Sequence, residues 1–248
     1  MKIFEISIFG FTLAPTYYWL MYALTFLWGM YYIKKLWKYT DSQRESLFFY
    51  IFFWVILWGR LWYIVFYNLG AYIADPLSIF KIWEWGMSFH GWALGMSIAV
   101  FLFARKYKLK LWNIADDLAL IVPLWLFLWR IGNYINKELL WFPYDGFLAV
   151  HTAKGSFFPS PLVEAFLEGI LLFCILYFIS RKKKFNGAVI ASFFIFYSLF
   201  RSIVEIFIRT PDAQIGYYFW FLSQWVFLSL PMFVFGITLY KYLSRSIK

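Results

Sequence analysis

Charged side chains make up only 15% of this chain, cysteine occurs once and histidine twice. A water-soluble globule carries about 25% charged residues, so an aqueous fold of this length is excluded. The lone cysteine, Cys174, sits in an apolar run from Leu171 to Tyr177, and within one chain it supports neither a disulfide nor a thiolate metal site. It reads as a small buried hydrophobe. No Walker-type glycine loop, no His-Glu-x-x-His pair and no Gly-x-Ser-x-Gly elbow is present. There is no fixed-period repeat. The N-terminal stretch lacks a small-residue cleavage site, so the first apolar segment is expected to stay as a helix.

What the chain does have is apolar length. Of its 248 residues 63% are hydrophobic and 27% aromatic, and the mean hydropathy is +0.67. A helix needs roughly 20 mostly apolar residues to cross a bilayer. Runs of that kind fall near 13–33, 47–69, 87–104, 114–132, 160–180, 187–208 and 217–242. The expected fold is an all-α, polytopic membrane helix bundle of about seven transmembrane helices in a single domain. The net charge of +10 is gathered into short clusters between the runs: Lys34, Lys35, Lys38 and Arg44; Arg105, Lys106, Lys108 and Lys110; Arg181 to Lys184; and Lys241, Arg245 and Lys248. All fall on one side of the bundle, which the positive-inside rule makes cytoplasmic, leaving the N-terminus outside and the C-terminus inside. The longest connection, 133–159, reads as an outward-facing loop or small head.

Ionisable groups at membrane depth cost several kcal/mol unless they face a partner or a wet cavity, so they mark function by default. Arg60, Arg130, Glu164, Arg201 and Glu205 are of this kind. Arg201 and Glu205 stand four apart on one helix, close enough to pair. The run from Arg130 through Asn133 and Asn136 to Glu138 gathers a cation, carboxamides and a carboxylate where the fourth span meets the outer surface. Guanidinium groups hold phosphate through paired hydrogen bonds, which makes this a phosphate-friendly surface. His90, between Phe89 and Gly91 at the start of the third span, is a candidate proton acceptor. His151 in the outer loop has weaker support. Spacing alone leads to an outward-facing cationic cavity and names no reaction.

Six collinear blocks resemble the signature stretches of the prolipoprotein diacylglyceryl transferase family. They are YWLMY at 18–22, WGRLWYIVFYN at 58–68, DPLSIFKIWEWGMSFHGWALG at 75–95, a block over 117–139 ending WRIGNYINKEL, PSPLVEAFLEG at 159–169, and YSLFRSIVEIFIRTPDAQIG from 197 with LSLP at 228–231. The resemblance implies a cofactor-free enzyme of the bacterial cytoplasmic membrane. Its partners would be phosphatidylglycerol and the lipobox cysteine of a prolipoprotein, joined as a thioether with release of glycerol phosphate. It further implies that Arg130 and Arg201 bind the phosphate and steady the leaving group, with His90 removing the thiol proton. Asn133 and Glu138 would orient headgroup or acceptor, Glu205 would hold Arg201, Tyr18 would line the cavity, and Arg60 would touch the headgroup. The competing reading is a non-catalytic carrier or lipid-binding protein that uses buried arginines to hold anionic headgroups. Two departures stand out. The family's His-Pro-Ser-Gln is here Phe158-Pro159-Ser160-Pro161, and tryptophan replaces family glycine at Trp19, Trp58, Trp62, Trp85, Trp92, Trp129, Trp141 and Trp225.

Overall fold

The computed structural model describes residues 6–8, 11–13, 17–36, 38–80, 87–140, 142–208, 217–218 and 222–245. In chain order the elements are β1 (Ile6–Ile8), β2 (Phe11–Leu13), α1 (Tyr17–Lys35), α2 (Asp41–Tyr67), α3 (Leu69–Ala74) and a 3-10 turn at Pro76–Phe80. There follow α4 (Phe89–Tyr107), α5 (Leu111–Ala119), α6 (Val122–Ile135), β3 (Val150–Thr152), β4 (Gly155–Phe157) and α7 (Ser160–Glu164), which runs through a π-helical segment, Ala165–Leu171, into α8 (Leu172–Lys182). The chain ends with α9 (Ala188–Phe207), the short pair β5 (Tyr217–Tyr218) and β6 (Leu222–Ser223), and α10 (Gln224–Arg245).

The protein is a mostly helical membrane protein, with helix in part or all of each apolar stretch; in the stretch 217–242 the helix begins at Gln224, after the β5 and β6 strands. Among the described residues, four helical stretches are long and apolar enough to cross a bilayer: Asp41–Phe66, Leu111–Ile135, Ser160–Lys182 and Ala188–Phe207. The other three, α1, α4 and α10, mix aliphatic residues with tyrosine, tryptophan and glycine, which lowers their hydropathy without removing their apolar bulk. The chain divides into two units, Met30–Ala115 and the segments Met1–Gly29 with Asp116–Lys248.

In the unit Met30–Ala115, α2 begins with a capping box. The Thr40 hydroxyl accepts from the Gln43 amide at 3.2 Å, and the Gln43 side chain accepts from the Thr40 amide at 3.0 Å. α2 then packs along α4. The two backbones meet where α4 has glycine: a methyl group on Gly91 would lie 2.2 Å from the Trp58 carbonyl oxygen, and one on Gly95 2.3 Å from that of Trp54. Small residues allow such close crossings between membrane helices. Phe103, fully buried, is flanked by the rings of Tyr39, Tyr50 and Tyr107.

In the other unit, α6 starts after a turn at Leu120 and Ile121, with Pro123 in its first turn, where a missing amide hydrogen costs nothing. It packs on α7 and the π segment, while α9 packs on α8 and α10. The base of α9 is tied from a distance. Buried Asp116 accepts from the amides of Gly187 (2.9 Å), Val189 (3.0 Å) and Ile190 (2.9 Å) and from the Lys183 ammonium (2.7 Å). The three amides are otherwise orphaned at a helix N-terminus, and a carboxylate suits the positive end of the helix dipole.

The connection after α6 contains an antiparallel hairpin pairing Val150 with Phe157. Phe142 stacks on Phe158 at 5.0 Å, and Tyr144 meets Phe158 edge-on at 5.3 Å. Cys174 is exposed, which corrects the expectation of a buried residue. In a bilayer an apolar run does not imply burial in protein, because lipid solvates apolar side chains equally well.

Candidate active site

Three helical segments converge on a cluster of buried charges. Arg130 comes from α6, Glu164 from the end of α7, Glu168 from the π segment, and Arg201 and Glu205 from α9. Both glutamates preceding α8 are completely buried, and the other three residues are between 2% and 7% exposed. Arg130 donates to one oxygen of Glu168 through both Nε (3.2 Å) and Nη2 (3.0 Å). The other Glu168 oxygen accepts from Arg201 Nη1 at 3.0 Å. Glu164 Oε2 lies 2.9 Å from Arg130 Nη2 and 2.9 Å from Arg201 Nη1, so a single oxygen bridges both guanidiniums. Arg201 Nη2 donates to Glu205 Oε2 at 2.5 Å, which is the pairing expected from their four-residue spacing.

Local sequence makes this convergence possible. A π segment widens one turn and rotates the residues that follow it, a device frequent at functional sites. Gly169 sits at the contact with α6, where a methyl group would come within 2.6 Å of Phe127 Cβ, so only glycine lets the π segment approach closely enough for Glu168 to reach Arg130. Buried charges persist only when paired and hydrogen-bonded, and here each guanidinium meets two or more carboxylates. Three carboxylates face two guanidiniums, so with every group ionised the cluster carries one excess negative charge. Glu164 Oε1 and Glu205 Oε1 are buried without a hydrogen-bond partner. Leaving such an atom unsatisfied costs about 1–3 kcal/mol or more for a charged group, which marks both as positions where a ligand donor would be welcome.

One turn beyond Arg130, buried Asn133 donates from Nδ2 to Glu138 Oε2 at 3.3 Å, while the Glu138 amide donates back to the Asn133 carbonyl at 2.9 Å. Arg130, Asn133 and Glu138 therefore share one folded-back helix end. Ser160 Oγ donates to the Leu139 carbonyl at 2.7 Å and ties that end to the start of α7.

Arg60 belongs to the unit Met30–Ala115 and is buried differently. Its Nη2 donates to the Ser78 carbonyl at 2.7 Å, its Nε donates to the Ile79 carbonyl at 3.2 Å, and the guanidinium lies 5.1 Å from the centre of the Tyr72 ring. It pins the 3-10 turn. Next to it, the Ser88 amide donates to the Gly59 carbonyl at 3.0 Å and seats the start of α4, the segment that carries His90. The side chains of His90 and Tyr18 lie outside the described residues. His151 is exposed, with Nδ1 2.7 Å from Ser156 Oγ across the hairpin.

Sequence reading singled out Arg130, Arg201, Glu205 and Glu164, which the structure brings together, and missed Glu168. The signal was present. Glu164 and Glu168 are four apart in an otherwise apolar run, the same spacing that identified Arg201 with Glu205. The cluster's carboxylates are engaged by arginine, and among the described residues no grouping of histidine, cysteine and carboxylates forms a metal-ligand set. Chemically, two convergent guanidiniums in a low-dielectric site are suited to holding a phosphate and stabilising charge that grows on it.

Comparison with known proteins points the same way. The family model described as prolipoprotein diacylglyceryl transferase matches residues 6–242. The chain is 40% identical over 212 residues to the phosphatidylglycerol–prolipoprotein diacylglyceryl transferase of Teredinibacter turnerae, covering 81% of this chain and 71% of that one. It is 43% identical over 195 residues to the same-named protein of Hydrogenovibrio crunogenus (74% and 71% covered), and 42% over 205 residues to that of Methylococcus capsulatus (81% and 78%).

Proposed function

The chain belongs to the prolipoprotein diacylglyceryl transferase family, and on that premise we propose that the Arg130 and Arg201 cluster is where it transfers the diacylglyceryl group of phosphatidylglycerol to a prolipoprotein. It is a transferase, and its partners are phosphatidylglycerol and prolipoproteins. The observation that carries the site assignment is the convergence of two buried guanidiniums on one point, 2.9 Å from each.

In the proposed reaction the lipobox thiolate attacks the glyceryl carbon bonded to the phosphate oxygen. A carbon–sulfur bond forms, the carbon–oxygen bond breaks, and glycerol phosphate leaves with the electron pair. Arg130 and Arg201 take up the charge growing on the departing phosphate, the role played elsewhere by oxyanion donors. Glu205 holds Arg201 in place. Asn133 and Glu138, on the helix end beside Arg130, orient the headgroup or the acceptor, and Tyr18 lines the cavity. His90 accepts the thiol proton, since the thiolate is the nucleophile. Arg60 acts through the turn it pins, ahead of the α4 segment bearing His90.

We also propose a single domain of seven spans in the bacterial cytoplasmic membrane, with the N-terminus and the 133–159 head outside. The loop charges support this orientation. A cysteine placed at Lys182 should resist membrane-impermeant reagents added to intact cells, and labelling there would reverse the topology.

The site is tested by Arg130→Lys and Arg201→Lys. Lysine keeps the charge and loses the bidentate fork, so each variant should insert normally and lose about 10²–10³-fold in transfer. Mass spectrometry of a lipobox peptide incubated with phosphatidylglycerol reads the product directly. Near-normal thioether product from both variants would remove the cluster from the chemistry.

A further inference from the structure

We propose that Glu164 is an internal stand-in for the substrate phosphate: its carboxylate occupies the point between Arg130 and Arg201 that a phosphate oxygen takes over on binding. The proposal rests on the phosphate-binding reading of the two arginines and goes beyond it.

The two fully buried glutamates are bonded in different ways. Glu168 uses both oxygens, one for Arg130 and the other for Arg201, and so braces the guanidiniums at a fixed separation. Glu164 uses one oxygen for both arginines, at 2.9 Å each, and leaves Oε1 buried with no partner. A carboxylate oxygen and a phosphate oxygen ask the same of a guanidinium, hydrogen bonds of about 2.7–2.9 Å. The bridging position of Glu164 Oε2 is therefore already a phosphate-oxygen position.

Charge requires the exchange. With Glu164, Glu168 and Glu205 all bonded to the two arginines, the cluster is formally negative and repels an incoming phosphate. Like charges held a few ångströms apart in a poorly screened interior repel strongly. Among the carboxylates, Glu168 is held at both oxygens. Glu205 binds Arg201 alone, from one helical turn away on α9. Glu164 and Glu205 each leave one oxygen unengaged, but only Glu164 sits at the convergence point, so it is the group that gives way. Between turnovers it keeps two buried cations compensated, which an empty phosphate site of this kind requires. Glu164 is thus a placeholder that competes with substrate, and Glu168 a positioning residue that supports it, so their removal should act in opposite directions.

The test uses the full-length enzyme in detergent, with phosphatidylglycerol, a lipobox peptide and glycerol phosphate as inhibitor. Glu164→Gln removes the competing charge and keeps the shape. It should tighten inhibition by glycerol phosphate and lower the KM for phosphatidylglycerol by about tenfold, an order of magnitude typical of one charge contact. Glu168→Gln should weaken the same inhibition and lower kcat. Unchanged or weaker glycerol phosphate inhibition in folded Glu164→Gln would overturn the placeholder. Should that variant not accumulate, Glu164→Asp decides instead: it draws the carboxylate back by one methylene and should also tighten inhibition, and no tightening would overturn the idea. If Glu164 variants fail this way while the arginine-to-lysine variants stay inactive, only the placeholder is lost. If the lysine variants are active, the phosphate site itself is lost.

Discussion

Arg201 and Arg60 are both arginines buried in membrane helices, 2% and 4% exposed, and the contacts described for them are of different kinds. Arg201 faces three carboxylates, on its own helix and on the segment before α8. Arg60 faces backbone carbonyls and an aromatic ring. A carbonyl is fixed in place and carries only a dipole, so these two bonds tie Arg60 to one turn. Carboxylates carry full charge on rotatable side chains, so the Arg201 cluster can trade one anion for another. Burial of a cation therefore does not by itself identify a site. What surrounds it does.

This contrast can be broken by removing each arginine. Arg201→Ala leaves Glu164 and Glu168 facing Arg130 alone and strands Glu205, and breaking a buried ion pair from one side costs about 3–5 kcal/mol. Transfer should vanish with it. Adding Glu205→Gln to Arg201→Ala should return part of that stability, since it removes one of the stranded charges. Arg60→Ala strands two carbonyls and should cost about 1–3 kcal/mol, while glycerol phosphate inhibits the folded fraction as it does the wild type. Thermal unfolding in detergent with and without glycerol phosphate measures both quantities. If Arg60→Ala abolished the stabilisation by glycerol phosphate, the two arginines would belong to one kind of site after all.

Much of this was legible beforehand. The helices lie where the apolar runs predicted, because a bilayer imposes length and composition directly on sequence. Arg201 and Glu205 were readable as a pair because their contact is local, one helical turn apart. The spacing of Glu168 from Glu164 was also readable, but its pairing was not, because its partners stand 38 and 33 positions away and are reached through the π segment and the close approach at Gly169. Arg60 was read as a headgroup contact from its depth, and sequence does not give the Ser78 and Ile79 carbonyls that it also meets. Cys174 was misread for a related reason: apolar surroundings in sequence mean lipid as readily as protein.

The smallest expected effect concerns Trp58, one of the eight tryptophans standing where the family pattern has glycine. Its neighbourhood suits glycine better. The Trp58 carbonyl lies so close to α4 that Gly91 admits no side chain, and the half-buried indole has its N–H buried without an acceptor. Buried tryptophan N–H groups usually find a partner. At the same crossing, a methyl group on Gly59 would lie 2.3 Å from the Trp92 ring, so another of the eight fills the groove beside it. We expect these tryptophans to be glycine in the working protein, read from UGA codons by a lineage that assigns UGA to glycine. Replacing a well-packed tryptophan by a small residue ordinarily costs about 3–5 kcal/mol. Trp58→Gly should instead leave stability within about 1 kcal/mol or raise it, because the indole is only half-buried and its N–H is buried without an acceptor. A loss of the ordinary size would establish Trp58 as a native packing residue. The gene gives the independent check: UGA at Trp19, Trp62, Trp92 and Trp129 with UGG at Trp83, where the family itself carries tryptophan, is the pattern recoding requires, and UGG at all five would end it.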